Sequence, residues 1–423
     1  MTKATRTFES EYDDANRRIT GLDLNRIRNA KVMVLGIGAL GNEVVKNLAL
    51  YNIGNLFLCD MDTVEWANLS HSILFREKDD GHSKVSAAAR SLKEINRLVK
   101  VQTFYGPLSD IGLGVWRSMD VIIGCLDNRG SRLMIDRTCG RAGKDWIDAG
   151  LGSLQATPNP NEGLFQGVVQ LFSPRNGYSY EGYFMSDSLR QAAEQEASDA
   201  RKAWRNWPGC YELNKEMLKT ERVPTTPTMS SLIGALQAQE AIRYLCPEGW
   251  GVEGLENRCL EVNAARFSFD VKIHPRSEPT APLDPIVEVP AWKAASTRLG
   301  EVMDRIKRDL GANARLQLGF HYCNGLECTV CNTVERRPFK LGSRSEVCPT
   351  CQRPRSPLTD SLLPEHLDGT EDFLDMTLSE IGVPAFDVLT ASVYESAGRG
   401  QRPTLRAQRH YELTGDRAKA LGL

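Results

Sequence analysis

No apolar run in the 423 residues is long enough to cross a bilayer. The longest, around Val32 to Leu40, falls well short of the ~20 residues a spanning helix needs, and the charged N-terminus has no apolar signal core. These absences predict a soluble, cytoplasmic protein with no membrane partner. Charge of one sign is lacking too: 52 basic residues face 54 acidic ones, for a net charge of −2. No whole-chain field therefore holds the protein on nucleic acid or an anionic membrane. With 41% hydrophobic and 25% charged residues the composition excludes a largely disordered chain. Cysteine is the unusual component. There are 11, an odd number, five of them between Cys323 and Cys351. That clustering favours metal ligands and one or two reactive thiols over a disulfide framework.

The chain opens with an α/β pattern. Lys31 to Leu35 is a β-branched apolar run closed by Gly36, Gly38 and Gly41, and Asn42 to Leu50 has apolar residues at helical spacing. This predicts strand, tight glycine turn, helix. Leu56 to Cys59, Val99 to Phe104, Val121 to Gly124 and Trp146 to Ile147 read as further strands, alternating with helical patterns such as Lys84 to Leu98 and Arg132 to Ala142. The expected fold is a Rossmann-like, doubly wound, mainly parallel sheet. A polar, helix-favouring stretch from Ser186 to Glu221, broken by Pro208-Gly209-Cys210, reads as an excursion, and Met229 to Leu245 as a long helix with small residues that permit close packing. Five prolines between Pro275 and Pro290 predict an extended linker or surface strap.

These features predict an α/β domain over 1–274, with the excursion at about 178–227. A proline-rich linker over 275–291 and a helical connector over 292–320 follow. A zinc ribbon over 321–357 is expected next, then a region of unassigned role over 358–423.

A GxGxxG turn lets backbone N–H groups and a helix N-terminus approach phosphate, and alone it suggests a dinucleotide site with Asp60 on a ribose. Downstream residues point elsewhere. Asp60 and Asp62, Asn68-Leu69, Gly81-His82-Ser83-Lys84 and Cys125-Leu126-Asp127-Asn128 add a lysine and carboxylates. A hydride-transfer enzyme has no use for that pair, whereas a nucleotidyl transferase needs both.

The order NRRI (Asn16 to Ile19), VLGIGALGN (Val34 to Asn42), CDMDTVEWANLS (Cys59 to Ser70), GHSK, INRLV (Ile95 to Val99), CLDN (Cys125 to Asn128) and VPTTPTMSSLIGALQAQEAI (Val223 to Ile242) resembles the ThiF/MoeB/ubiquitin-activating enzyme superfamily over roughly residues 11 to 275. Within it, the lone cysteine before VPTTPT most resembles activating enzymes of bacterial ubiquitin-like conjugation operons, some of which serve antiphage defence. The resemblance implies ATP- and Mg2+-dependent adenylation of the C-terminal glycine of a ubiquitin-like protein. Gly36, Gly38, Gly41, Asp60, Asp62, Asn68, His71, Lys84, Asp127 and Asn128 would line the nucleotide, with Lys84 on phosphate and Asp127 on magnesium. Arg17 would reach across a homodimer interface to the γ-phosphate.

Where relatives have arginine this chain has His71, a weaker phosphate donor near neutral pH. The CxxC that close relatives often carry is replaced by Tyr178-Ser179-Tyr180-Glu181-Gly182. Cys210, flanked by Lys202, Arg205 and Lys215, is the expected thioester nucleophile, a thiolate being both a strong nucleophile and a good leaving group. From it the acyl group would pass to a conjugating enzyme. The alternatives are a sulfur-carrier adenylyltransferase, and a non-catalytic scaffold that binds a ubiquitin-like protein.

One pattern stands without any resemblance. Cys328-x2-Cys331-x16-Cys348-x2-Cys351 presents two CxxC knuckles at the spacing of a four-thiolate zinc site. Basic residues around the knuckles are interleaved with Glu327, Glu335 and Glu346, which favours protein docking over nucleic-acid binding.

Overall fold

The computed structural model describes residues 8–14, 16–19, 21–152, 162–184, 226–250, 253–320, 322–323, 325–340, 347–353, 355–357, 366–395 and 404–422. Cys210 and most of the polar excursion lie outside the described residues. The rest falls into two compact units, the first within 1–108, 116–197 and 203–282, the second within 109–115 and 283–423.

The first unit is built on an eight-stranded sheet. Its strands are β1 (Lys31–Leu35), β2 (Asn55–Asp60), β3 (Lys100–Tyr105), β4 (Val121–Gly124), β5 (Trp146–Leu151), β6 (Gln166–Phe172), β7 (Arg258–Asn263) and β8 (Ser268–Ile273). The spatial order is β3-β2-β1-β4-β5-β6-β7-β8. The first five are parallel, and β6 to β8 continue antiparallel. Strand β1 is buried at every position after Lys31, as a strand covered on both faces must be. Strand order reverses between β1 and β4, which opens a crevice at the carboxyl ends of these strands.

Helices Ala39–Leu50 and Pro227–Leu245 pack closely on one another. A Cβ at Gly234 would lie 2.6 Å from the Glu43 Cβ, and Ser231 Oγ donates to Glu43 Oε1 at 2.9 Å. Gln237 of the longer helix donates to the Gly124 carbonyl at 2.8 Å and the Ile147 carbonyl at 3.2 Å, tying the helix to β4 and β5. The start of the proline-rich stretch lies on this unit, with Ser277 N–H donating to the Gly177 carbonyl at 2.7 Å and Thr280 N–H to the Pro174 carbonyl at 2.9 Å.

The second unit has its own core. Strands Ile286–Glu288, Arg315–Gln317, His366–Leu367, Val388–Glu395 and Thr404–Glu412 form one sheet. Helix Leu299–Leu310 buries Leu299, Val302, Met303 and Ile306 in a cluster with Leu316, Leu389 and Tyr411. Trp292, Ala294 and Leu318 join this core, and the helix starts at Leu299. Before it, residues 293–297 form a turn, with Lys293 N–H donating to Thr297 Oγ1 at 2.9 Å. The region over 358–423 supplies the two longest strands of this unit among the described residues. Among the described residues, no helix is long and apolar enough to cross a membrane.

Candidate functional site

The glycine turn links β1 to helix Ala39–Leu50, and two of its glycines are fixed by packing. Gly36 has φ +93°, and a Cβ on it would lie 2.6 Å from the Cys125 carbonyl oxygen. A Cβ on Gly41 would lie 2.0 Å from the Gly36 carbonyl oxygen. Gly38 is different: a Cβ there meets nothing within 4 Å, so the turn is open at that residue. Gly38 is also the N-cap of the helix, where unsatisfied N–H groups and the helix dipole favour an anion. Asp60, at the end of β2, accepts from the Ile37 N–H at 2.6 Å through Oδ2 and from the Asp62 N–H at 2.8 Å through Oδ1. Its carboxylate therefore braces the turn. Asn42, to which the sequence motifs assign no role, donates to the carbonyls of Ile37 at 3.0 Å and Gly38 at 2.9 Å and accepts from the Leu74 N–H at 2.9 Å.

Lys84 opens helix Lys84–Ile95 with its side chain 13% exposed, and its Nζ donates to Asp62 Oδ2 at 2.8 Å. Burial pulls the ammonium down, but the fields of Asp60, Asp62 and Asp127 outweigh it and leave its pKa above 10.5. Asp60 is shifted upward by burial, against the pull of Lys84. A permanently charged lysine and three carboxylates thus converge beside the glycine turn. Such a set offers a cation for phosphate and hard oxygen donors that suit magnesium.

The neighbouring candidates are held by local structure. Asn68 Oδ1 accepts from the Glu65 N–H at 2.9 Å, and Asn128 caps helix Arg129–Ala142 by accepting from the Ser131 N–H at 2.7 Å. His71 is half-buried, with Nδ1 3.0 Å from Ser70 Oγ. Arg132 lies deeper, in a buried pair with Asp148 at 2.9 Å. Where relatives carry a CxxC, Asp136 accepts instead from the N–H groups of Tyr180 at 3.0 Å and Glu181 at 3.1 Å. Burial pushes the thiols of Cys125, Cys139, Cys246 and Cys259 upward, which makes them poor nucleophiles. Cys59 is buried as well.

Arg17 is exposed on a short turn, Asn16–Arg18, with no side-chain partner among the described residues. The segment carrying it is anchored far from the glycine turn of its own chain. Tyr12 OH donates to the Ala49 carbonyl at 3.3 Å, at the opposite end of a 12-residue helix about 18 Å long.

In the second unit the Sγ atoms of Cys328, Cys331, Cys348 and Cys351 all lie within 4.8 Å of one another. The closest pairs, Cys328 with Cys351 and Cys331 with Cys348, are 3.4 Å apart. Four thiolates on a tetrahedral zinc ion with ~2.3 Å bonds lie about 3.8 Å apart, so the cluster fits that ion. The two knuckles share one backbone geometry. Cys328 N–H donates to the Thr333 carbonyl at 2.9 Å and Cys348 N–H to the Arg353 carbonyl at 2.8 Å. Asn332 and Gln352, each following a second cysteine, take φ of +55° and +57°. Backbone N–H groups, Cys351's first, hold the Cys348 thiol down at about 6.

The sequence pattern of the ThiF family matches residues 13–282. The chain belongs to the ThiF family. Among relatives, this ThiF-family chain is 32% identical over 161 residues to ubiquitin-like modifier-activating enzyme 5 of Dictyostelium discoideum, covering 35% of this chain and 40% of the relative. It is 36% identical over 152 residues to ubiquitin-activating enzyme E1 1 of Triticum aestivum, covering 33% and 14%. The chain thus spans less than half the length of these relatives. A solved structure of MccB from E. coli aligns at 22% identity and a TM-score of 0.46 over 60% of this chain and 68% of that one.

Proposed function

We propose that this chain activates a ubiquitin-like protein. In this reading the C-terminal glycine carboxylate of that protein attacks the α-phosphorus of ATP, giving an acyl-adenylate and pyrophosphate. The observation that carries it is the meeting of Lys84 with Asp60, Asp62 and Asp127 beside an open Gly38. As the phosphorus is attacked, negative charge grows on phosphate oxygens, and cations and oriented donors placed in advance stabilise it. Lys84 supplies a fixed positive charge, and the helix N-terminus at Gly38 supplies N–H donors. Asp127, with Asp60 and Asp62 near, would hold magnesium, which when bound neutralises charge on the phosphates. The Asp60 brace keeps the turn rigid, so little reorganisation is needed during transfer.

The acyl group then passes from the adenylate to the Cys210 thiolate, releasing AMP, and from Cys210 to the cysteine of a conjugating enzyme. The elimination of other thiols supports Cys210: Cys59, Cys125, Cys139, Cys246 and Cys259 are buried or shifted away from reactivity. Arg17 would serve the γ-phosphate of a second copy, a homodimer role consistent with its anchoring away from its own glycine turn. The four cysteines would hold a structural Zn2+. We place the protein in the cytoplasm, within a bacterial ubiquitin-like conjugation pathway of the antiphage kind.

The experiment is ATP–pyrophosphate exchange with a candidate ubiquitin-like protein ending in glycine, followed by non-reducing electrophoresis. Exchange plus a thiol-sensitive conjugate lost in Cys210→Ala is expected. Exchange without a conjugate would favour sulfur-carrier chemistry, and absence of exchange with every such protein would favour a scaffold.

A further inference from the structure

Arg17 is held by a buried polar network to which the sequence motifs gave no task. Asp13 is fully buried at 0% exposure, and its Oδ2 accepts from Arg28 Nε at 2.7 Å and from Asn52 Nδ2 at 3.0 Å. Asn52 takes φ +61°, a left-handed conformation that asparagine tolerates better than most residues, and is 3% exposed. Its Oδ1 accepts from Asn96 Nδ2 at 3.0 Å, and the same amide donates to the Ala49 carbonyl at 2.9 Å. Asn96, at 0% exposure, also accepts from the Leu98 N–H at 3.0 Å. The network thus runs from the ends of two helices, Ala39–Leu50 and Lys84–Ile95, to Asp13. From Asp13 the link to Arg17 is direct, because the Arg17 N–H donates to the Asp13 carbonyl at 2.9 Å.

Burying a carboxylate is costly unless it is paired and hydrogen-bonded, and here it is both. Asp14 and Arg18, on the same turn, pair with each other at 2.6 Å on the surface. Arg17 has no side-chain partner among the described residues, on a turn whose backbone is pinned from beneath. An arginine that must meet a phosphate of another molecule benefits from such pinning, since less freedom is lost when it binds.

We propose that Asp13, through Asn52 and Asn96, is a positioning residue that sets the Arg17 turn for a nucleotide γ-phosphate held by a second copy of this chain. The inference rests on the Arg17 role proposed above. The readout is the ratio of affinities for Mg·ATP and Mg·ADP, measured calorimetrically on the full chain. General loosening of the fold lowers both affinities together, whereas misplacing a γ-phosphate ligand lowers only the first. Arg17→Ala is expected to reduce the ratio roughly tenfold, and Asp13→Asn about three- to tenfold. The double variant should match Arg17→Ala within about twofold, because two residues acting as one unit are not additive. Asn52→Gly, which keeps the left-handed backbone and removes only the bridging amide, should behave as Asp13→Asn does and covers the case in which the latter fails to fold.

Additive losses in the double variant, or equal losses of ATP and ADP affinity in Asp13→Asn and Asn52→Gly, would overturn the proposal. An unchanged ratio in Arg17→Ala is a separate result, overturning the Arg17 role itself and the positioning role with it.

Discussion

Lys84 Nζ donates to Asp62 Oδ2 at 2.8 Å, and the backbone N–H of the same lysine donates to the Asp62 carbonyl at 3.0 Å. Side chain and main chain thus lock the start of helix Lys84–Ile95 to the residue two beyond the Asp60 brace. The ion pair is half in solvent, since Asp62 is 57% exposed, so it contributes little to stability. In the function proposed here, its place beside the open glycine gives it a chemical use. Lys84→Ala is expected to reduce ATP–pyrophosphate exchange by about a hundredfold while shifting Tm by no more than a few degrees. A comparable fall in Tm and activity together would mean that the lysine is structural.

Gly41 and Gly38 should separate cleanly. Gly41→Ala would place a Cβ 2.0 Å from the Gly36 carbonyl oxygen, which nothing in a rigid turn relieves. It is expected to destabilise the fold by about 2–4 kcal/mol in denaturant titration. Gly38→Ala meets no atom within 4 Å, so its stability should be near that of the parent while Mg·ATP affinity falls. Parent-like ATP affinity in Gly38→Ala would move the phosphates elsewhere.

The fold of the first unit was legible where apolar runs are continuous. Lys31 to Leu35 and Val121 to Gly124 are buried parallel strands and read as such. Strands β7 and β8 escaped because they run out toward the sheet's edge: Phe269, Val271 and Ile273 of the edge strand are all exposed, so their alternation marks no buried face. The tail strand Thr404–Glu412 escaped for a related reason, since six of its nine residues are exposed or half-buried. At the site, Asp60 was legible through its spacing from the glycine turn, and Lys84 and Asp127 through the motif order that resembles the ThiF superfamily. Gln237 and the Asp13–Asn52–Asn96 network were not, because each works through contacts between residues far apart in sequence, with no local signature.

The four-cysteine cluster should bind one zinc ion per chain in elemental analysis. Cys348→Ser is expected to abolish stoichiometric zinc and lower the thermal stability of the second unit, while Mg·ATP affinity of the first is retained. Full zinc occupancy in Cys348→Ser would remove that residue from the ligand set, and Cys323 would then be the residue to test.

Two buried groups set opposite pH slopes. Burial pulls His274 from 6.5 down to about 4, so the native state refuses a proton that the unfolded chain takes up. The stability this represents is present above pH 6.5 and lost as pH falls toward 4. Asp136 is pushed by burial from 3.8 up to about 6, so its protonated native form favours folding at low pH and that gain is lost as pH rises through 6. The two offset each other in the parent. His274→Phe keeps a ring against Phe172 and Tyr183. Relative to the parent, it should gain on the order of 2–3 kcal/mol between pH 6.5 and 4. A parent–variant difference that is constant with pH would show that His274 titrates normally.

The most direct test of a nucleotidyl-transfer site at the glycine turn is calorimetric titration with ATP, with and without magnesium and in competition with NAD. Magnesium-dependent ATP binding is expected, weakened at least tenfold by either Lys84→Met or Asp127→Asn and untouched by NAD. ATP binding indifferent to both substitutions, or displacement by NAD, would contradict the account.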